Sequence, residues 1–121
     1  MRMDQVTIRT ARFDEEIAFY RDIVKLRIIR EIHEGERNIV FLSDGPDSTC
    51  IEVIQNPDAD HSGNPYLSIG FHTDDAEKLR NELLKKGYDA SPMESPAPVV
   101  KFFFVRDPSG VTVQFVQGGI R

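Results

Sequence analysis

Apolar and polar residues alternate over Gln5 to Arg9, which predicts a strand. The apolar residues Ile17, Phe19, Tyr20, Ile23 and Val24 then fall three to four apart, which predicts a helix from about Phe13 to Lys25 with Asp14 as its cap. Strands follow at 26 to 33 and 38 to 43, joined by the polar turn Glu34-Gly35-Glu36, and a fourth at 49 to 55, TCIEVIQ, after the turn Asp44-Gly45-Pro46-Asp47. Asn56 to Pro65 has the Pro, Gly, Asp and Asn content of a connection. The order then begins again. Tyr66 to His72 reads as a strand, and Asp74 is placed to cap a helix with Ala76, Leu79, Leu83 and Leu84 on one face and Gly87 at its end. Further strands are expected near Tyr88 to Ala90 and at Lys101 to Val105, and Asp107-Pro108-Ser109-Gly110 turns the chain into VTVQFVQ, 111 to 117. Three prolines make Ser91 to Pro98 a loop or an edge.

The chain is thus strand, helix, three strands, written twice. Matching the first strands pairs Gln5 with Tyr66 at an offset of 61; matching the last strands pairs Glu52 with Gln114 at an offset of 62. This agreement indicates an internal repeat. The expected fold is α+β, two tandem βαβββ modules: module one about 1 to 55, a connection 56 to 65, and module two about 66 to 121, within a single domain. Strand alternation puts Val6, Ile8, Ile51, Val53, Leu67, Ile69, Phe71, Val113 and Phe115 on the faces that carry the helices. The opposite faces collect Gln5, Glu52, Tyr66 and Gln114. Such a polar face either looks at water or lines a cavity, and duplication of the pattern favours a cavity around these four.

Composition narrows the partners. A formal net charge of −5 offers no continuous basic surface for nucleic acid. No run of about 18 apolar residues and no signal-peptide core is present, so a cytoplasmic protein without membrane association is expected. The single cysteine, Cys50, cannot form an intramolecular disulfide and is expected as a buried thiol. His33 and His61 read as surface histidines, and His72 stands too far along its strand from Tyr66 to share a metal with it.

Several phrases, MDQVTIR, FDEEIAFYRDIVKLRIIRE, IEVIQN and FFFVRDPSGVTVQFVQ, together resemble the vicinal oxygen chelate family, which includes glyoxalases, bleomycin resistance proteins, methylmalonyl-CoA epimerases and ring-cleaving dioxygenases. The resemblance implies a glyoxalase-like fold, paired βαβββ modules cupping a mixed β-sheet and often completed by dimerisation, so a homodimer is expected. It also implies that metal ligands in this family come from the first and last strands of both modules, which here are Gln5, Glu52, Tyr66 and Gln114. Glu52 fits that role, and Gln5 is similar to the Gln some glyoxalases use. Tyr66 stands where His is expected, and Gln114 where the family has a Glu that binds metal and carries protons.

One carboxylate, two amides and a phenol make a weak transition-metal site, and an amide cannot act as a general base. The expectation is a small-molecule binder with a degenerate metal site, resembling the bleomycin-resistance type, with Gln5, Thr7, Arg9, Glu52, Tyr66, Ser68 and Gln114 on the ligand, no cofactor, and Glu52 the one candidate catalytic group. The alternative is a glyoxalase-like lyase or isomerase with a weakly held divalent metal such as nickel or zinc. A ring-cleaving dioxygenase is disfavoured because two histidines and a carboxylate do not meet at these positions. An interaction domain without a ligand is the third reading.

Overall fold

The computed structural model describes residues 1 to 119, which form two compact units, Met1 to His61 and Ser62 onward. Each unit is a four-stranded mixed sheet with a helical segment, so the duplicated α+β reading holds. Among the described residues no helix is long and apolar enough to cross a membrane.

In the first unit the strands are β1 (Gln5–Thr10), β2 (Arg27–Glu34), β3 (Arg37–Ser43) and β4 (Cys50–Gln55), ordered β1-β4-β3-β2. β1 and β4 run parallel and the other pairs antiparallel. A parallel pair requires a crossover, supplied here by the helical segment and the β2-β3 hairpin. Ile8, Val40, Leu42, Ile51 and Val53 on one face join Ile17, Phe19 and Tyr20 of the helical segment in the buried core. Full burial of each such side chain contributes roughly 1.5–3 kcal/mol.

The expected helix from Phe13 to Lys25 is in fact two pieces. α1 covers Phe13–Ala18 and a π-helical turn covers Phe19–Ile23. The wider turn buries two adjacent aromatics, Phe19 and Tyr20, whose rings meet edge to face with centroids 5.1 Å apart. Arg12, rather than Asp14, occupies the N-cap, and Asp14, Glu15 and Glu16 fill the first turn, where acidic groups favour the positive end of the helix. The segment ends at Lys25, among the described residues the one non-glycine residue with positive φ (69°), where the Leu26 N–H returns to the Tyr20 carbonyl. After β4 the connection turns back on its own unit, where the Ala11 N–H donates to His61 Nε2 at 3.2 Å.

The second unit contains β5 (Ser68–His72), α2 (Ala76–Lys85), β6 (Glu94–Ala97), β7 (Val100–Arg106) and β8 (Thr112–Gln117), with the sheet ordered β5-β8-β7-β6. β5 and β8 are the parallel pair. Leu83 of α2 and Phe103, Val105, Val113 and Phe115 of the sheet are buried. Asp75, one residue after the expected Asp74, caps α2 by accepting from the Lys78 N–H at 3.1 Å, and Gly87 ends it at φ 92° as expected. Tyr88 to Ala90 form no strand; on the side away from β8, β7 pairs with the proline-containing β6, an edge of the sheet.

The Asp107-Pro108-Ser109-Gly110 turn is organised by one buried carboxylate. Asp107 Oδ1 accepts from the Ser109 and Val111 N–H groups, both at 2.9 Å, and Gly110 supplies the positive φ of 87° that brings the chain into β8.

Two stability outcomes follow from these turns. Lys25→Gly relieves a left-handed L-residue and should raise stability by about 0.5–1 kcal/mol in urea titration, the gain being reduced by the greater freedom of Gly in the unfolded chain. Asp107→Ala leaves two backbone donors without their acceptor and should lower stability by about 1–3 kcal/mol, with Asp107→Asn losing less because its amide oxygen can still accept.

Candidate functional site

Strand register decides which residues correspond between the units. In the first, Gln5 lies opposite Cys50 and Thr7 opposite Glu52; in the second, Ser68 lies opposite Thr112 and Gly70 opposite Gln114. Gln114 is therefore the counterpart of Glu52, as the sequence pairing had it. The counterpart of Gln5 is Ser68, two residues beyond Tyr66. Tyr66 lies in a turn before β5, 94 % exposed, and its N–H donates to Asn64 Oδ1 at 2.9 Å. Leu67, expected on the helix-facing side of a strand, also precedes β5 and is 66 % exposed.

The first unit brings Gln5, Thr7 and Glu52 together on the face away from α1. Gln5 Nε2 donates to Glu52 Oε1 at 2.9 Å, and Thr7 Oγ1 donates to the same oxygen at 2.6 Å. Glu52 is only 9 % exposed. These are charge-assisted bonds, which fix the carboxylate's orientation. Arg9 is exposed one step along the same face of β1 and makes no ion pair with Glu52. Cys50, also on this face, is half-buried, and its thiol lies 3.6 Å from the Ser48 carbonyl oxygen.

The second unit differs in kind. Gly70 stands where Thr7 stands in the first, so Gln114 has no cross-strand hydroxyl, and among the described residues its amide has no hydrogen-bond partner. Ser68 is exposed at the start of β5. Gln114 lines a hollow of about 770 Å³ with Gly70, His72, Val100, Phe102 and Val116. Ladder pairing of His72 and Phe102 with Val116 puts these three in one row beside Gln114. Gly118 closes one wall at φ 79°, where any Cβ would run into the Val99 carbonyl.

The apolar lining of this hollow was not among the expected ligand contacts. Its signal was the Phe102 to Phe104 run: alternation sends Phe103 into the core and leaves Phe102 and Phe104 on the open face, where their rings meet edge to face at 5.8 Å. His72, on the same face of β5 as Gly70, joins this lining.

Raised pKa values occur at surface pairs. The hydrogen bond and charge of Asp22 raise Arg21, those of Glu77 raise Lys101, and hydrogen bonds from Asn38 and then Glu31 raise His33.

The family profile described as Glyoxalase/Bleomycin resistance protein/Dioxygenase superfamily matches residues 2–115. The chain belongs to that superfamily. Among its relatives, a lactoylglutathione lyase of Haemophilus influenzae is 28 % identical, the match covering 97 % of this chain and 93 % of that protein. A probable lactoylglutathione lyase of Synechocystis is also 28 % identical, over 91 % and 90 % of the two chains. Two solved structures share the superfamily fold: a trypanothione-dependent Leishmania major glyoxalase I (TM-score 0.81, 23 % identity, 97 % of this chain and 86 % of that one) and TnmS3, an antibiotic-binding protein from Streptomyces (TM-score 0.70, 12 % identity, 98 % and 97 %).

Members of the superfamily that use a divalent metal need a donor set which these residues do not fit. Among the described residues no group of three or more His, Cys, Asp or Glu side chains is placed to hold an ion. The first unit offers one carboxylate and one amide, and the second one hydroxyl and one amide, which are poor transition-metal ligands.

Register gives the repair. Because Gln5 reaches Glu52 at 2.9 Å, a side chain at Ser68 can reach one at position 114. Ser68→His with Gln114→Glu puts one imidazole and one carboxylate on adjoining strands of one sheet and should give weak nickel or zinc binding by calorimetric titration, tighter than that of Tyr66→His with Gln114→Glu.

Proposed function

We propose that this protein binds a small organic molecule without a metal ion. The observation that carries this reading is the hollow of about 770 Å³ on the open face of the second sheet. Ligand sites are commonly about 300–1,000 Å³, mostly apolar, with a few polar groups that set orientation. Val100, Phe102 and Val116 supply an apolar wall for a flat ligand body, while the unpartnered Gln114 amide offers both a donor and an acceptor. His72 is the titratable side chain in this lining. On this reading Ser68, exposed at the start of β5 in the same sheet, provides a further polar contact, while Tyr66 stands outside the strand that would have aimed it there.

The curated relatives favour a second reading, lactoylglutathione lyase activity. It assigns the proton transfer to Glu52, because Gln114 cannot serve as a base. Formation of lactoylglutathione from methylglyoxal and glutathione with added nickel or zinc, lost in Glu52→Gln, would establish this second reading over the first.

The first reading is tested by thermal shift. Dialysis against a strong chelator should leave the melting temperature unchanged, because no resident ion contributes to stability. A compound library should contain members that raise it, a ligand present at about 100 times its Kd adding roughly 2.7 kcal/mol. Phe102→Ala should weaken such a hit about tenfold or more with little change in the ligand-free melting temperature. A large chelator-induced drop restored by one divalent ion would overturn the reading.

A further inference from the structure

Gly70 is a glycine that its own backbone does not require. It stands in the middle of β5 with φ outside the left-handed region, and a Cβ there would meet no atom nearer than Gln114 Oε1, at an ordinary contact distance of 3.8 Å. Gly118 is different, since a Cβ at that position runs into the Val99 carbonyl. A glycine inside a strand costs stability, and one of its uses is the close approach of a ligand to the backbone. Neither turn geometry nor packing within the second unit accounts for Gly70.

The repeat shows what this position lacks. In the first unit the same place in the ladder holds Thr7, whose hydroxyl donates to Glu52 Oε1 at 2.6 Å. In the second unit Gly70 lies opposite Gln114 and offers no side-chain donor; on the other side of Gln114 stands Phe104, which offers none either. Gln114 is half-buried, and among the described residues its amide has no hydrogen-bond partner. Gly70 and Gln114 both line the hollow, so the place filled by the Thr7 side chain in one copy is, in the other, part of the ligand space. The acceptor facing it is a neutral amide oxygen, which suits a neutral hydroxyl or N–H, and the wall of Val100, Phe102 and Val116 suits a flat apolar body.

We propose that Gly70 is the specificity-determining residue of the hollow: its missing side chain admits a hydroxyl or N–H of the ligand to Gln114 Oε1, in the place that the Thr7 hydroxyl fills in the first unit. The ligand class is then a flat aromatic compound with a neutral donor at its edge. This inference rests on the metal-free binding reading and gives it a polarity requirement.

The test titrates indole, N-methylindole and benzofuran into the full chain, three neutral fused rings of which only indole can donate. Affinity and the Gln114 side-chain amide resonance are the readouts. Indole should move that resonance and bind about tenfold more tightly than either of the others. Gly70→Ala and Gly70→Thr put a side chain into the gap. Both should erase the preference for indole while melting at or above the wild-type temperature, because a strand position gains a side chain without a clash. A glycine needed only for the fold gives the reverse, a lower melting temperature with the preference kept, and that result overturns the assignment. Should N-methylindole or benzofuran bind wild type as tightly as indole, the polarity requirement falls and metal-free binding in the hollow stands. Affinities for all three that Phe102→Ala leaves unchanged would put the binding outside the hollow and overturn both readings. If none of the three binds, this inference is overturned, and the chelator and library experiment decides the metal-free reading on its own.

Discussion

The parallel pairing of the first and last strand of each unit is the constraint on which the rest depends. Parallel neighbours cannot be joined by a tight turn, so the chain must leave β1, cross over through a helix and a hairpin, and return as β4; the second unit repeats the route from β5 to β8. That ladder fixes register, and register sets the chemistry. It places Thr7 against Glu52 and Gly70 against Gln114. One unit consequently holds a carboxylate fastened by a hydroxyl and an amide, and the other holds an amide with no hydrogen-bond partner among the described residues.

The difference between the copies explains why a repeated phrase carries two residues. A carboxylate in a half-buried sheet needs donors, and Gln5 and Thr7 provide them. Among the described residues no side-chain donor bonds to Gln114, where a neutral amide is tolerated without a charge to compensate. The two units keep the backbone plan of the superfamily while dividing polar and apolar duties between them: fixed charge in the first, an apolar hollow in the second.

Sequence alternation made the duplicated architecture legible because the period of two in the strands and the three-to-four spacing in the helices are enforced by burial. It also set Glu52 and Gln114 at corresponding strand positions, since both lie inside strands strongly marked by β-branched residues. It misplaced Tyr66 for a definite reason. A slip of two residues leaves every side chain on the same face, so alternation is blind to it, and only the hydrogen-bonded ladder distinguishes Tyr66 from Ser68 as the partner of Gln5. The π-helical turn was hidden because its apolar spacing is close to that of a longer α-helix. β6 was reduced to a choice between loop and edge because prolines suppress the usual strand signal.

Those prolines have a consequence for solubility. β6 is the outer strand beyond β7, exposed along its whole length, and Pro96 within it and Pro98 just after it have no N–H to offer an incoming chain. A fibril grows by repeated strand addition at such a border, and here each added strand would meet gaps in the donor row. The loss of regular pairing that obscures β6 in the sequence is thus the same property that guards this border of the sheet against aggregation.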